Sequence, residues 1–331
     1  MNSQTWFRWV GLRAGLVLFL LTALILVFYL LGGTEAGAGI AGGYAFLFLL
    51  PFCLGAIYRY ALGPRDTPRS RWLTSGSSIT LLVVFLVLAL ALREAIICIL
   101  IAVVPWSISA FLGSYSIHWF HEQFKKRATL NSFALAALPF AVLGLGPLAD
   151  NPTHHFEVRR SVTIDAPAEA VWPHLLSLQD LSDEEGVFNF AQDIVQIPRP
   201  RSAVVVGEGV GARRLARWGD HVSFEEHITA WEENDHLAWR FVFPNDSVAR
   251  YTDLHIGPDS QYLGVETGRY TLERLDDNRS RLTLSTRYRA SSAVNHYAAI
   301  WGEIFLGGIQ RNILAIIADR VHRTRSQETA S

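Results

Sequence analysis

The stretch NHYAAIWGEIFLGGIQRNILAIIADRVHR (295–323) decides how the rest of the chain is read. Tyr297, Trp301, Ile304, Phe305, Ile309, Asn312, Ile313, Ile316 and Val321 recur in it at helical spacing. Glu303, Gln310, Arg311, Asp319 and Arg323 fall between them. The period predicts a single helix, roughly 40 Å long at ~1.5 Å per residue. Gly307 and Gly308 interrupt it, at ~1 kcal/mol per glycine relative to alanine. Such a pair suits a kink or a close approach by another group. The rings on its front half need a broad apolar surface to lie on, and the segments from about 156 to 290 supply one.

Those segments alternate. Phe156, Val158, (Arg160), Val162 and Ile164 form a first strand, and Asp165 is placed to cap a helix with Pro167 in its early turn. Ala170, Val171, Trp172, Leu175 and Leu176 give that helix an apolar face, and an acidic piece leads to a short second helix at Val187, Phe188 and Phe190. Pro198 and Pro200 mark an irregular edge, and Gly207, Gly209 and Gly211 a hairpin turn. Strands follow at about 211–218, 221–231, 236–243, 265–274 and 280–290, with a long segment between 244 and 264. The order is strand, two short helices, about six strands, one long helix, all antiparallel by loop length.

The first 150 residues read differently. Val10–Leu31, Ala38–Leu62, Ser77–Leu92, Ala95–Ile117 and Ser132–Ala149 are apolar runs near the ~20 residues a bilayer core needs, the last of marginal length. The expectation is a transmembrane bundle of four or five helices over 1–150, a tether at 151–155, the mixed domain at 156–325 and a disordered tail at 326–331. Arg8 and Arg13, the loop with Arg59, Arg65, Arg69 and Arg71, and Lys125-Lys126-Arg127 alternate with loops of little net positive charge. The positive-inside rule then puts the N-terminus in the cytoplasm. Five spans put the second half on the non-cytoplasmic side, and four leave it inside. Gly11-x-x-x-Gly15 and Gly39-x-x-x-Gly43 are possible helix seams. His118, His121 and Glu122 read as an interfacial helix end rather than a metal site, since no further ligands stand nearby.

A net charge of -1 makes no case for nucleic acid, and Cys53 and Cys98, both in apolar runs, exclude a disulfide framework. No nucleophile elbow, metal-ligand cluster, Walker loop or zincin motif occurs, so any catalysis is acid–base. No metal and no cofactor are expected.

VTIDAPAEAVWPHL (162–175), GEGVGARR (207–214), EEHITAWEENDHLAWRF (225–241) and RLTLSTRYRASSAVNHYAAIWGEIFLGGIQRNIL (281–314) together resemble the START-like (SRPBCC) superfamily. More narrowly they look like its polyketide cyclase/dehydrase and lipid-transport branch. The resemblance covers about 155–325 and says nothing of 1–150. It implies an α+β helix-grip fold, a curved antiparallel sheet around the C-terminal helix with an elongated apolar cavity between them. Its candidate lining is Trp172, Arg214, Phe224, Glu226, Trp239, Phe241, Arg269, Tyr270, Tyr288, Tyr297, Trp301 and Phe305, with Asn312 and His227 as further polar groups. Glu226 shares the apolar face of its strand, so a cross-strand partner, Arg214 or Arg269, is expected for it. His227 falls on the opposite face. Three readings follow: a membrane-anchored domain that binds or transfers a hydrophobic small molecule or lipid, a cyclase/dehydrase-like enzyme, and a structural or sensory membrane module. The partners expected are the lipid bilayer and that hydrophobic ligand.

Overall fold

The structure, a computed structural model, describes residues 45–62, 83, 86–87, 96–123, 152–245, 247–248, 257–260, 263–292 and 294–330. The spans Val10–Leu31 and Ser132–Ala149, most of Ser77–Leu92, both Gly-x-x-x-Gly seams, the Lys-Lys-Arg loop and most of the 244–264 segment lie outside the described residues. Chain contacts divide the protein into two units, 1–152 with 292–294, and 153–291 with 295–331.

In the first unit a π-helical turn (Ala45–Leu49) leads into α1 (Leu50–Leu62), and α2 (Ile96–Gln123) packs against it. Glycine makes this contact possible. A Cβ on Gly55 would stand 2.0 Å from the Ala110 carbonyl oxygen, and one on Gly113 would stand 1.9 Å from that of Phe52. Each helix thus lays a glycine against the other's backbone, and Ser114 Oγ donates to the Gly55 carbonyl at 3.0 Å.

In the second unit, alternation dictates the sheet. β1 (Thr153–Ile164), β2 (Ser177–Leu178), β3 (Pro200–Val206), β4 (Arg213–Trp218), β5 (Val222–Glu232), β6 (His236–Val242), β7 (Leu263–Asp276) and β8 (Arg279–Ser291) form one antiparallel sheet. Its order is β1-β8-β7-β6-β5-β4-β3-β2. The turn after β3 holds Gly207, Gly209 and Gly211 at φ of 92°, 74° and 95°, the left-handed region where a side chain is strained. Between β1 and β2 lies α3 (Ala168–Leu176). Its N-cap is Pro167, with no side-chain hydrogen bond, so Asp165 does not cap it; the helix begins at Ala168, two residues later than an Asp165 cap requires. The expected second helix is a π-helical turn at Phe190–Ile194, shorter and later than its apolar residues suggested.

The terminal helix, α4, runs from Asn295 to Ala330. It therefore includes residues 326–330, expected as tail, and passes Gly307 and Gly308 without a break. Those two glycines serve close approach instead: a Cβ on Gly307 would meet the Arg160 guanidinium at 2.4 Å, and one on Gly308 would meet Asn189 at 3.3 Å. By length and composition α4 is apolar enough to cross a membrane. Here Leu314, Ile317 and Val321 instead share one core with Val171 and Leu175 of α3 and with Leu237, Leu272 and Leu282 of the sheet. The sheet curves around this helix in the helix-grip manner.

Polar side chains hold the 180–199 segment against α4. Asn312 accepts from the Val187 N–H at 2.8 Å and donates to Gln192 Oε1 at 2.7 Å. Arg320 of α4 grips Glu185 at 2.6 and 2.7 Å, while within the segment itself Arg199 grips Asp193 at 2.8 Å. The Arg320 hydrogen bonds hold the Glu185 carboxyl below its usual range, and Arg199 does the same for Asp193.

Gly302 allows α4 to ride over Tyr288. A Cβ there would fall 2.1 Å from the Tyr288 hydroxyl oxygen and 2.7 Å from its ring. Tyr288 is stacked on Phe156 with ring centroids 5.5 Å apart and has little freedom to swing away. Gly302→Ala is expected to lower stability by about 1–3 kcal/mol through overpacking, despite a helix-propensity gain of ~1 kcal/mol. Thermal unfolding measures the balance, and a raised melting temperature contradicts the close approach.

Candidate functional site

The concave face of the sheet presents its side chains in cross-strand rows. One row reads Ile228, Trp239, Gly268, Thr286, Val158 across β5, β6, β7, β8 and β1. Gly268 matters because a Cβ there would stand 2.4 Å from Trp239 Cε2 and Cζ2. The indole therefore lies across β7 in the space a side chain would fill. Trp239 and Tyr270 have ring centroids 5.1 Å apart, and Trp239 meets Phe241 edge-on at 6.0 Å.

Beside this row the sheet carries charge inward. Arg214 on β4 is register partner to Glu226 on β5, and Arg214 Nη1 donates to Glu226 Oε2 at 2.6 Å, with both side chains buried. The guanidinium carbon lies 5.9 Å from the Trp239 ring centroid and 5.7 Å from that of Tyr270. Burial pushes the Glu226 carboxyl up against the opposing pull of Arg214, and burial likewise pushes the Tyr270 hydroxyl up. Burial opposes the charge on Arg214 too, but Glu226 and Tyr270 more than offset it and raise its pKa.

Among the described residues, three buried polar atoms have no hydrogen-bond partner: Arg214 Nε, Trp239 Nε1 and Gln310 Oε1. Gln310 hangs from α4, and its Nε2 donates to the Val158 carbonyl at 3.0 Å and to Thr286 Oγ1 at 2.9 Å. A carbonyl only accepts, so the amide orientation is fixed and Oε1 is the arm left over.

The remaining candidates divide. Phe224 is buried with Trp218, Phe241 and Phe243 in a ring cluster at one end of the sheet. Trp172 meets Trp231 edge-on at 5.8 Å inside the main core. Tyr288 is buried, and burial together with the nearby Glu303 charge pushes its pKa up to about 12. Trp301 and Phe305 stack at 5.7 Å, with Phe190 6.0 Å from Phe305, and all three are half-buried. Tyr297 is half-buried as well. Around them Phe188, Ile300 and Ile304 are 72%, 57% and 38% exposed. Arg269 is not part of the interior: it is exposed on the convex face, because its neighbour Tyr270 points inward and a strand alternates. His227 also faces outward, bonded to Glu225 at 2.7 Å.

Sequence reasoning missed Gln310 as a site residue, sorting it with the polar face of α4, although it is 2% exposed. Its signal was the stripe Leu306, Gln310, Leu314, Ala318, apolar at every other member. Also missed was Arg160, whose Nη2 pairs with Glu303 of α4 at 2.7 Å. Glu232, Asp235 and His236 bring potential metal-ligand atoms within 4.8 Å on the β5–β6 turn, where the two carboxylates are exposed and His236 Nδ1 is bonded to Asp235 at 3.0 Å.

No family model matches the chain, and no curated protein matches it. Among solved structures it is similar to norcoclaurine synthase from Thalictrum flavum, at 10% identity and a TM-score of 0.34, over 52% of this chain and 97% of that one. It is similar to the Zhui aromatase/cyclase from Streptomyces sp. R1128 at 18% identity and a TM-score of 0.31, over 51% and 95%. Against Ara h 8.0201 the identity is 14% and the TM-score 0.30, over 52% and 99%. Norcoclaurine synthase and the aromatase/cyclase are members of the START-like fold group that the sequence resembles, and they cover about half the chain.

Truncating one member of the Arg214–Glu226 pair leaves the other charge buried alone, which costs ~3–5 kcal/mol, whereas replacing both with apolar groups is often neutral. Arg214→Met and Glu226→Leu are each expected to destabilise strongly, and the double variant to recover most of the loss. Chemical denaturation measures the cycle; additive losses contradict a coupled pair. The raised Glu226 pKa also has a sign. Its contribution is fully present below the unfolded carboxyl value of ~4.3 and is lost as pH rises through the folded value. Glu226→Gln is therefore expected to flatten the fall in stability above that pH.

Proposed function

We propose that residues 153–330 form a binding domain for a hydrophobic small molecule or lipid, anchored to a bilayer by the preceding helices. One observation carries this reading. An interior of aromatic rings holds Arg214 Nε, Trp239 Nε1 and Gln310 Oε1 without partners. A buried polar atom left unpaired costs ~1–3 kcal/mol, and native proteins keep few of them. A ligand with an apolar body and a few polar atoms removes that cost, and apolar walls with sparse polar handles are what small-molecule sites consist of. The half-buried Trp301, Phe305 and Phe190, with Phe188, Ile300 and Ile304 exposed beside them, support an apolar way in.

The anchor is supported by α2, 28 residues with no charged side chain before Glu122. At ~1.5 Å per residue it exceeds the ~30 Å of a hydrocarbon core. Val104, Ile108, Phe111, Leu112 and Tyr115 are exposed on it, an outer surface suited to lipid rather than water. The loop charges support a cytoplasmic N-terminus, and the length and lack of charge of Ser132–Ala149 support a fifth span, with this domain on the non-cytoplasmic side.

A second reading, proton transfer on a bound carbonyl compound in the manner of a cyclase or dehydrase, is favoured by Glu226. A carboxyl raised by burial can give and retake a proton, and the adjacent Arg214 can polarise a carbonyl oxygen.

Binding is tested on the full chain with the neutral apolar dye N-phenylnaphthylamine. Ile316 is buried, so Ile316→Ala is expected to cost ~2–5 kcal/mol. Trp301→Ala and Phe305→Ala should cost less than that and weaken dye binding several-fold. If Trp301→Ala unfolds the chain as badly as Ile316→Ala while dye binding persists, the ring is packing and the reading loses its entrance.

Sidedness is tested separately. An enzyme reporter active only in the cytoplasm, fused after Ser331, is expected to be silent. A strong signal places the domain in the cytoplasm.

A further inference from the structure

The position of the unpartnered atoms says what the ligand carries. Trp239 Nε1 lies over β7, since a Cβ on Gly268 would stand 2.6 Å from it. Gln310 Nε2 lies over the next strand, 2.9 Å from Thr286 Oγ1, and Thr286 is the register partner of Gly268. The indole N–H over β7 and the Gln310 amide, which bridges Thr286 on β8 and the Val158 carbonyl on β1, thus lie over the same row of the concave face. Both are buried, one is a donor, the other an acceptor, and neither is satisfied. One oxygen making two hydrogen bonds of ~2.8 Å spans ~5 Å. A hydroxyl does this with its own polarity: its oxygen accepts from the indole and its hydrogen is donated to the amide oxygen. A carbonyl or ether oxygen satisfies only the indole, and an ammonium only the amide.

We propose that the interior selects an alcohol or phenol, an apolar body bearing one hydroxyl, seated between Trp239 Nε1 and Gln310 Oε1. The inference rests on the binding reading above. Arg214 sits near the same indole, but Glu226 already takes its charge, so the site is not built for a free anionic head group. Thr286 and Val158 hold the Gln310 amide in place beforehand, so the acceptor is oriented before the ligand arrives.

The test uses a matched series, naphthol, methoxynaphthalene and methylnaphthalene, which share one apolar body and differ in two, one and no usable hydrogen bonds. Binding to the full chain in lipid nanodiscs is measured by calorimetry, with empty discs subtracting partition into lipid. Naphthol is expected to bind about tenfold more tightly than methylnaphthalene, with the ether between them. In Trp239→Phe the preference should shrink to about twofold, because the donor is gone. Equal binding of all three overturns the hydroxyl assignment, a bridging buried water being then the occupant, and leaves the binding reading intact. No binding by any of them above empty discs sinks both. A tenfold preference that survives in Trp239→Phe places the hydroxyl elsewhere and overturns the proposal. The series needs no variant, so a Trp239→Phe chain that fails to fold does not spare it.

Discussion

An open antiparallel sheet of eight strands has one face to bury and no second sheet to bury it against. Everything in the second unit depends on α4 filling that role. Leu314, Ile317 and Val321 supply the contact with the sheet and with α3 along the C-terminal half of the helix. At ~1.5–3 kcal/mol for each fully buried large side chain, those residues hold the helix in place. The N-terminal half is different. Trp301, Phe305 and Tyr297 are only half-buried, so the grip is firm at one end and looser at the other.

That inequality explains where the polar groups sit. Asn312, Gln310 and Arg320 are spaced along the firm stretch and bond to the 180–199 segment and to β1 and β8. They fix the rotation of α4 about its axis, which apolar packing alone, being non-directional, leaves free. With the rotation fixed, Gly302 faces Tyr288 and Gln310 reaches over Thr286. The buried charge pair serves the sheet in the same way. A slip of one residue between β4 and β5 would turn Arg214 or Glu226 to solvent and strand its partner.

Much of this was legible in the sequence because strands and helices have fixed periods. Alternation on β5 put Phe224, Glu226 and Ile228 on one face, and a carboxylate there demanded a cation on a neighbouring strand. Arg214 fulfils that demand. The same rule excluded Arg269, which cannot share a face with Tyr270, and listing both as lining overlooked it. Gln310 escaped because it falls between the apolar positions and sorts with the charged residues there, while only the packed structure shows an acceptor waiting beneath it. The contact of Gly302 with Tyr288 joins positions with no local signature. Asp165 was misplaced because Pro167 fits both the first turn and the N-cap.

The sheet order has one further consequence. Among the described residues the sheet does not close on itself, and its outermost strands, β1 and β2, pair on one side only. Such rims invite another chain to add a strand, the route to polymers and amyloid. β2 offers two residues, too few to template anything. β1 offers twelve, but carries His155, Glu157, Arg159 and Arg160 along its length, and Arg160 is tied to Glu303 of the helix above. An incoming strand would have to lie beside these charges and disturb that tie. The rims are guarded by charge and brevity, both of which disfavour edge-to-edge pairing with another copy.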